Sequence, residues 1–265
     1  MAANPITLIK KFIRVRNKYD IYTAVKRSKI WLRGNIKHQA DRLPIYRDIS
    51  FILSKHRLSN LTTSSISSPK DAVDAASSFR GVGLYRSIEP QISSEKLVKL
   101  AQFIDDIDPE RIVEIGTAEG GSLWTWCHGI KSIKQIISID VNFWHRKLDF
   151  YRLFPPENVD LTLINESSQK QSTVNRAVEQ LKDSSADFIF IDGDHTYEGV
   201  KRDFELWSEV VRTGGYIAFH DIHANHGNIG VGKLWNELKP RYESIQFDHG
   251  KEAMWGGIGI VKIKD

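Results

Sequence analysis

From residue 93 onward, apolar positions switch repeatedly between a helical and an extended period. Ser93 to Ile107 places Leu97, Leu100, Phe103 and Ile104 on one helical face and stops before Pro109. A short apolar run, Ile112 to Ile115, comes next, then a Gly-rich stretch, then Leu123 to His128 as the start of a helix. The same alternation continues with strand Gln135 to Ile139, helix Trp144 to Phe154, strand Leu161 to Ile164, helix Thr173 to Leu181, strand Phe188 to Ile191, helix Tyr197 to Val211 and strand Gly215 to Phe219. Short buried strands alternating with helices predict right-handed βαβ crossovers and a parallel sheet covered on both faces. The tail departs from this rhythm: a helix at Val231 to Leu238, then strands around Tyr242 to Phe247 and at Gly257 to Ile263. Two strands joined by a short loop predict an antiparallel edge. The expected fold class is α/β, a doubly wound, mostly parallel seven-stranded sheet with an antiparallel C-terminal edge.

Upstream the pattern is weaker. Ile6, Ile9 and Ile13, widened by Leu8 and Phe12, give residues 6–15 an amphipathic helical stripe with Lys and Arg on the other side. Residues 20–58 continue with looser periodicity, and Ser59 to Ser68 has the Ser/Thr-rich composition of a linker or mobile lid ending at Pro69. The division expected is a basic helical N-terminal extension with its linker over residues 1–70, and one catalytic domain over residues 71–265.

Charge sharpens that division. Residues 1–60 hold 14 Lys and Arg against 3 Asp and Glu, whereas the rest of the chain is net acidic, so the overall +4 conceals a cationic leader on an acidic body. Such a leader can meet anionic lipid, nucleic acid, an acidic partner or its own domain, and peripheral membrane association or self-association into a homo-oligomer is the expectation. No apolar run is long enough for a spanning helix, and the Lys- and Arg-interrupted N-terminus lacks a secretory signal's apolar core. A single cysteine, Cys127, excludes an internal disulfide and fits a cytoplasmic setting.

In an open α/β sheet, ligands sit beyond the carboxyl ends of the strands, so the loops there carry the candidate chemistry. After the first strand, Glu114-Ile-Gly-Thr-Ala-Glu-Gly-Gly-Ser122 supplies Gly116 for a tight turn and Gly120 and Gly121 for close backbone approach, ahead of a helix N-terminus. Asp140 ends the second strand, where a carboxylate can accept from two ribose hydroxyls. Asn165-Glu-Ser-Ser168 follows the third. Asp192-Gly-Asp-His195 and His220-Asp221 close the fourth and fifth, and could provide both a base and metal ligands at one crevice. The plainer alternative is that Asp192 and Asp194 only close a strand and cap the next helix. Trp124, Trp126, Trp207 and Trp235 read as core, while Phe143 and Trp144 are candidates for lining a base pocket.

Taken in order, Glu114 to Ser122, Asp140, Phe188-Ile-Phe-Ile-Asp-Gly-Asp-His-Thr-Tyr-Glu-Gly-Val200 and Gly214-Gly-Tyr-Ile-Ala-Phe-His-Asp221 resemble class I S-adenosylmethionine (SAM)-dependent methyltransferases. More narrowly, they look like the branch with cephalosporin-hydroxylase-like and macrolide-sugar O-methyltransferases, over residues 80 to 263. The resemblance implies a Rossmann-like domain binding SAM through Glu114, Gly116, Thr117, Gly120, Ser122, Asp140, Ser167, Ser168 and Asp192. It implies His195 as general base beside Asp192, a divalent metal, magnesium or manganese, on Asp192, His220 and Asp221, and a small hydroxylated acceptor such as a sugar of a natural product or glycan. Ser167 stands where relatives often carry Asp, and His220 where they more often carry an acid or amide; a nitrogen ligand favours manganese, iron or zinc over magnesium. The rival expectations are a nucleic-acid methyltransferase using the leader, against which no Asn-Pro-Pro-Tyr-type motif follows strand four, and a SAM-fold scaffold without catalysis.

Overall fold

Each apolar run expected to be extended forms one strand. The computed structural model describes residues 44–63, 66–143, 147–182, 184–223, 228–247 and 256–264. In chain order the elements are α1 (Pro44–Thr63), α2 (Pro69–Ser78), a 3₁₀ turn (Gly83–Tyr85), α3 (Ser94–Asp106), β1 (Arg111–Ile115), α4 (Gly121–Gly129), β2 (Gln135–Ile139), α5 (Leu148–Tyr151), β3 (Asp160–Ile164), α6 (Gln171–Gln180), β4 (Ala186–Ile191), α7 (Tyr197–Trp207), β5 (Val211–His220), α8 (Val231–Leu238), β6 (Glu243–Phe247) and β7 (Ile258–Lys262). The strands make one sheet in the order β3-β2-β1-β4-β5-β7-β6. The pairs among β1 to β5 are parallel, and β7 pairs antiparallel with both β5 and β6. The doubly wound, mostly parallel sheet with its antiparallel C-terminal edge is thus as expected.

The two-residue period of the strands splits the core into two layers. Ile112, Phe188 and Phe190 face a layer with Trp124, Trp126, Phe150 and Phe154. Val113, Ile189 and Ile191 face the other, with Val174, Trp207 and Phe219. Trp124, Trp126 and Trp207 have no exposed surface and Trp235 almost none, so all four are core residues. Burying each large side chain favours folding by roughly 1.5–3 kcal/mol.

Three elements differ from the pattern-based expectation. The Ser/Thr-rich stretch is no linker over its first half: α1 runs to Thr63, because Leu58 and Leu61 pack onto the first core layer and Ser54 Oγ accepts from Val82 N at 2.8 Å. Packing overrides composition there. Helix α5 is a single turn, whereas Trp144 to Phe154 was expected, and residues 144–146 lie outside the described residues. Helix α7 stops at Trp207 and the chain re-enters the sheet at Val211, which pairs with Ala186. The amphipathic stripe at residues 6–15 also lies outside the described residues. Among the described residues, no helix is long and apolar enough to cross a membrane.

Candidate active site

Helices leave β1 and β4 toward opposite faces of the sheet, which opens a crevice beyond their carboxyl ends. A cleft of about 460 Å³ occupies it, with Gly116, Asp140, Ser167, Asp192 and His195 in its wall.

The first wall is the loop after β1. Gly116 has φ +93°, and a Cβ there would lie 2.1 Å from the Asp192 carbonyl oxygen, so only glycine lets the β1 and β4 ends pass this closely. Thr117 N and Ala118 N donate to Asp140 Oδ2 at 2.9 and 3.1 Å, and Asn142 N donates to Asp140 Oδ1 at 2.8 Å. Asp140 therefore ties the β1 and β2 loops together while facing the cleft. Tyr151 Oη donates to the Ala118 carbonyl at 2.7 Å, and Gly120 is the N-cap of α4. The buried Lys147 ammonium joins Glu119 of the loop and donates to the Ser87 carbonyl at 3.2 Å.

Glu114 does not face the cleft. It is fully buried beneath the loop, where Trp126 Nε1 donates to Oε1 at 2.9 Å and Ser138 Oγ donates to Oε2 at 2.7 Å. The structure places it as a support of the loop, with both carboxylate oxygens engaged and neither in the cleft wall. Thr117, with its hydroxyl on Ser138, and Ser122 are likewise buried under the loop rather than in the cleft wall. Burial pushes the Glu114 carboxyl up to about 7, against the hydrogen bonds from Ser122, Ser138 and Trp126 that favour its charged form. Folded Glu114 then holds a proton that the unfolded chain releases near its ordinary value of 4.5. Its contribution is complete below that value and declines as pH rises to about 7. Glu114→Gln, which keeps the shape without the titration, should flatten this decline in thermal unfolding recorded on both sides of the window; an unchanged slope would assign the decline to other groups.

The third strand contributes Ser167 and Ser168. Ser167 lines the cleft and its Oγ accepts from Gln169 N at 3.3 Å. The Ser168 hydroxyl turns inward and donates to Asp203 Oδ1 at 2.7 Å. Phe143 is buried against Tyr151 and is not part of the cleft wall; Trp144 lies outside the described residues.

The fourth and fifth strands bring their acids and histidines together. Asp192 Oδ1 lies 3.2 Å from both His195 Nε2 and His220 Nδ1. Asp221 Oδ2 lies 3.3 Å from His195 Nε2, and its Oδ1 lies 3.5 Å from His220 Nδ1. Asp221 has φ +62°, a left-handed conformation that a non-glycine residue holds only where its surroundings impose it. Burial disfavours the Asp192 anion, yet the charges and hydrogen bonds of His220 and His195 outweigh it and hold the carboxyl at about 2. In return Asp192 raises His195 above its ordinary 6.5, chiefly through their hydrogen bond. His220 is pulled down by burial but is raised overall by Asp192 and Asp221. The Asp192, His195 and His220 ligand atoms lie within 4.8 Å of one another, so His195 joins the set that could hold a metal alongside the expected Asp192, His220 and Asp221.

Neither Asp192 nor Asp194 caps α7, whose N-cap is Thr196. Asp194 Oδ1 accepts from Thr196 N at 2.9 Å, and Thr196 itself caps α7 by accepting from Gly199 N at 3.1 Å. His195 is fixed from outside, its carbonyl accepting from Gly230 N at 2.8 Å at the start of α8. Gln91, Gln169 and Asp194 also line the cleft without having been singled out as ligand contacts. Asp194 was visible in the motif, but Gln91 and Gln169 carry no sequence signal beyond polarity.

Residues 113–222 match a family model described as a methyltransferase domain. An uncharacterized protein of Sinorhizobium fredii is 28% identical over 162 residues, 58% of this chain and 18% of that one. A rhamnosyl O-methyltransferase of Mycobacterium tuberculosis is 22% identical over 152 residues, 56% of this chain and 57% of its own. The chain thus spans less than two thirds of the length of these relatives. Among solved structures, MycE methyltransferase from the mycinamycin biosynthetic pathway, in complex with Mg, S-adenosylhomocysteine (SAH) and mycinamycin VI, superposes with a TM-score of 0.52 at 15% identity, covering 73% of this chain and 55% of that one.

Proposed function

We propose, from the match of residues 113–222 to a methyltransferase domain model and the class I SAM-dependent fold, that the protein moves the SAM methyl group to a hydroxyl of a small molecule. The observation that carries this reading is the juxtaposition of Asp192, His195, His220 and Asp221 at the end of the cleft that begins at Gly116 and Asp140. The similarity to a rhamnosyl O-methyltransferase supports a sugar hydroxyl as the acceptor.

The chemistry follows from the residues. The Gly116 loop and the Asp140 carboxylate hold the donor, with its methyl directed toward the β4 end. An acceptor hydroxyl attacks that methyl in line; the new O–C bond forms as the C–S bond breaks, and SAH leaves neutral. The hydroxyl proton passes to the His195 ring nitrogen that does not face Asp192, while Nε2 stays hydrogen-bonded to the Asp192 carboxylate, which raises the basicity of the ring. Asp192 and His220, with Asp221 beside them, would hold a divalent cation, manganese, iron or zinc better than magnesium because one donor is an imidazole nitrogen, and His195 is then kept as the base. When bound, such a cation lowers the pKa of a coordinated acceptor hydroxyl.

The test is a titration of the full chain with SAH, followed by incubation with methyl-labelled SAM and a panel of rhamnosides and related deoxysugar glycosides. Saturable binding and label on a sugar oxygen are expected. Absence of SAH binding overturns the reading in favour of the scaffold alternative; label on added RNA instead of sugars would transfer the activity to nucleic acid. Asp140→Ala should weaken SAH binding by about 10²-fold, since it removes a charged acceptor and frees two loop amides. Wild-type affinity in that variant would place the donor elsewhere.

A further inference from the structure

Helix α1 is fastened to the domain by one face. Phe51 meets Tyr85 and Phe150 at ring-centroid distances of 5.3 and 6.3 Å, Leu58 is buried, and Arg57 Nη1 donates to the Arg80 carbonyl at 2.8 Å. The other face carries Ile45, Ile49, Ile52 and Leu53, whose helical spacing makes them a single stripe. These four are 76%, 51%, 65% and 44% exposed. The other exposed large apolar residues, Val141, Val178 and Ile245, stand singly on three separate segments, so among the described residues the α1 stripe is where such side chains cluster. Single exposed apolar residues are ordinary, whereas a contiguous stripe marks a surface that another body covers. A helix that is apolar on two faces is stable where both are covered.

The charge around the stripe points to what covers it. The chain entering α1, residues 1–43, holds 11 Lys and Arg against 2 Asp. On α1 itself, Arg47, Lys55 and Arg57 face a single acid, Asp48, which pairs with Arg47 at 3.5 Å. We propose that α1 lies on an anionic lipid surface, with Ile45, Ile49, Ile52 and Leu53 dipping below the headgroups and the basic residues meeting the lipid phosphates. The two contributions need each other: a short apolar stripe partitions weakly and reversibly, and cations at the surface strengthen that partition without entering the bilayer. No described helix is apolar enough to span, in keeping with a helix lying in the plane of the interface. A second copy of the chain is the less suited occupant, because a symmetric pair on this face would bring two cationic segments together.

The experiment is flotation of the full chain with vesicles of phosphatidylcholine mixed with phosphatidylglycerol, and with vesicles of phosphatidylcholine alone. The mixed vesicles should bind the wild type about tenfold or more tightly than the neutral ones, an advantage that shrinks as salt is raised. The triple variant Ile45→Ser, Ile49→Ser, Ile52→Ser should bind the mixed vesicles about 10²-fold less tightly. All three positions are exposed and none lines the cleft, so its unfolding temperature and SAH affinity should match the wild type. A triple variant that binds the mixed vesicles as the wild type does overturns the proposal and leaves the cations as the sole contact. Equal binding of the wild type to both kinds of vesicle overturns it as well. So does a wild type that binds neither; sedimentation equilibrium then separates a dimer that the triple variant dissolves, in which the stripe meets a second copy, from a monomer whose own leader covers it. Because SAH affinity is read separately, failure of this inference leaves the methyl-donor reading standing.

Discussion

Replacing His195 with alanine lowers kcat by about 10²- to 10⁴-fold and leaves SAH affinity within about twofold of the wild type. The asymmetry follows from where the ring sits. Its Nε2 faces Asp192 and Asp221 at the β4 and β5 ends, whereas the contacts proposed for the donor come from the Gly116 loop, Asp140 and the β3 loop. The fold should survive, because His195 is anchored by its carbonyl on Gly230 N rather than by its side chain. His195→Gln keeps a hydrogen-bonding group without a base and should lose nearly as much. An unchanged kcat in both variants would remove His195 from the reaction.

The pH profile carries a second readout of the same residue. Asp192 and Asp221 raise His195 above 6.5, so its basic form grows in only above that value, and kcat should climb with pH through this limb. Asp192→Asn removes the principal cause and should move the limb to lower pH. It should also abolish any dependence on added manganese, since Asp192 Oδ1 lies 3.2 Å from both imidazoles in the cluster. A limb that stays in place would mean that another group titrates.

The parts of this molecule legible in the sequence are those built from neighbours along the chain. Ile112 to Ile115 and Phe188 to Ile191 had to be buried strands because each is apolar on both faces, and the order of strands and helices then dictated a parallel sheet. Chemistry placed at strand ends was legible for the same reason: once Asp140, Asp192 and His220 end strands of one parallel sheet, they share one rim. Contacts between distant elements were not legible. Nothing near Glu114 in sequence announces Ser138 or Trp126, so a buried support looked like a ligand contact. Asp203 lies 35 residues from Ser168, and nothing near either in sequence announces their bond. The Ser/Thr composition at Ser59 to Ser68 hid the end of a helix whose position depends on Leu58 and Leu61 meeting Phe150 and its neighbours.

Gly116→Ala should abolish SAH binding and destabilise the domain by about 2–5 kcal/mol, one of the largest effects available to a single methyl group in this protein. Two penalties combine at this position. The backbone at φ +93° costs a side-chain-bearing residue about 1–2 kcal/mol. The added Cβ would also lie 2.1 Å from the Asp192 carbonyl oxygen and 2.6 Å from its carbon, a clash with backbone that no rotamer can relieve. Asp192 N donates to the Ile115 carbonyl at 2.8 Å, so the β4 end cannot retreat without breaking the crossing of the two strands that forms the cleft. Any retreat carries Asp192 away from His195 and His220. Gly214→Ala separates the two penalties: its φ is +75°, but its Cβ meets only Arg212 Nη1 at 3.6 Å, an ordinary contact. That variant should show the conformational cost alone, about 1–2 kcal/mol in denaturant unfolding, with SAH affinity unchanged. If Gly116→Ala binds SAH as the wild type does, the loop after β1 does not hold the donor, and the cleft would have to bind it from the β3 and β4 loops instead.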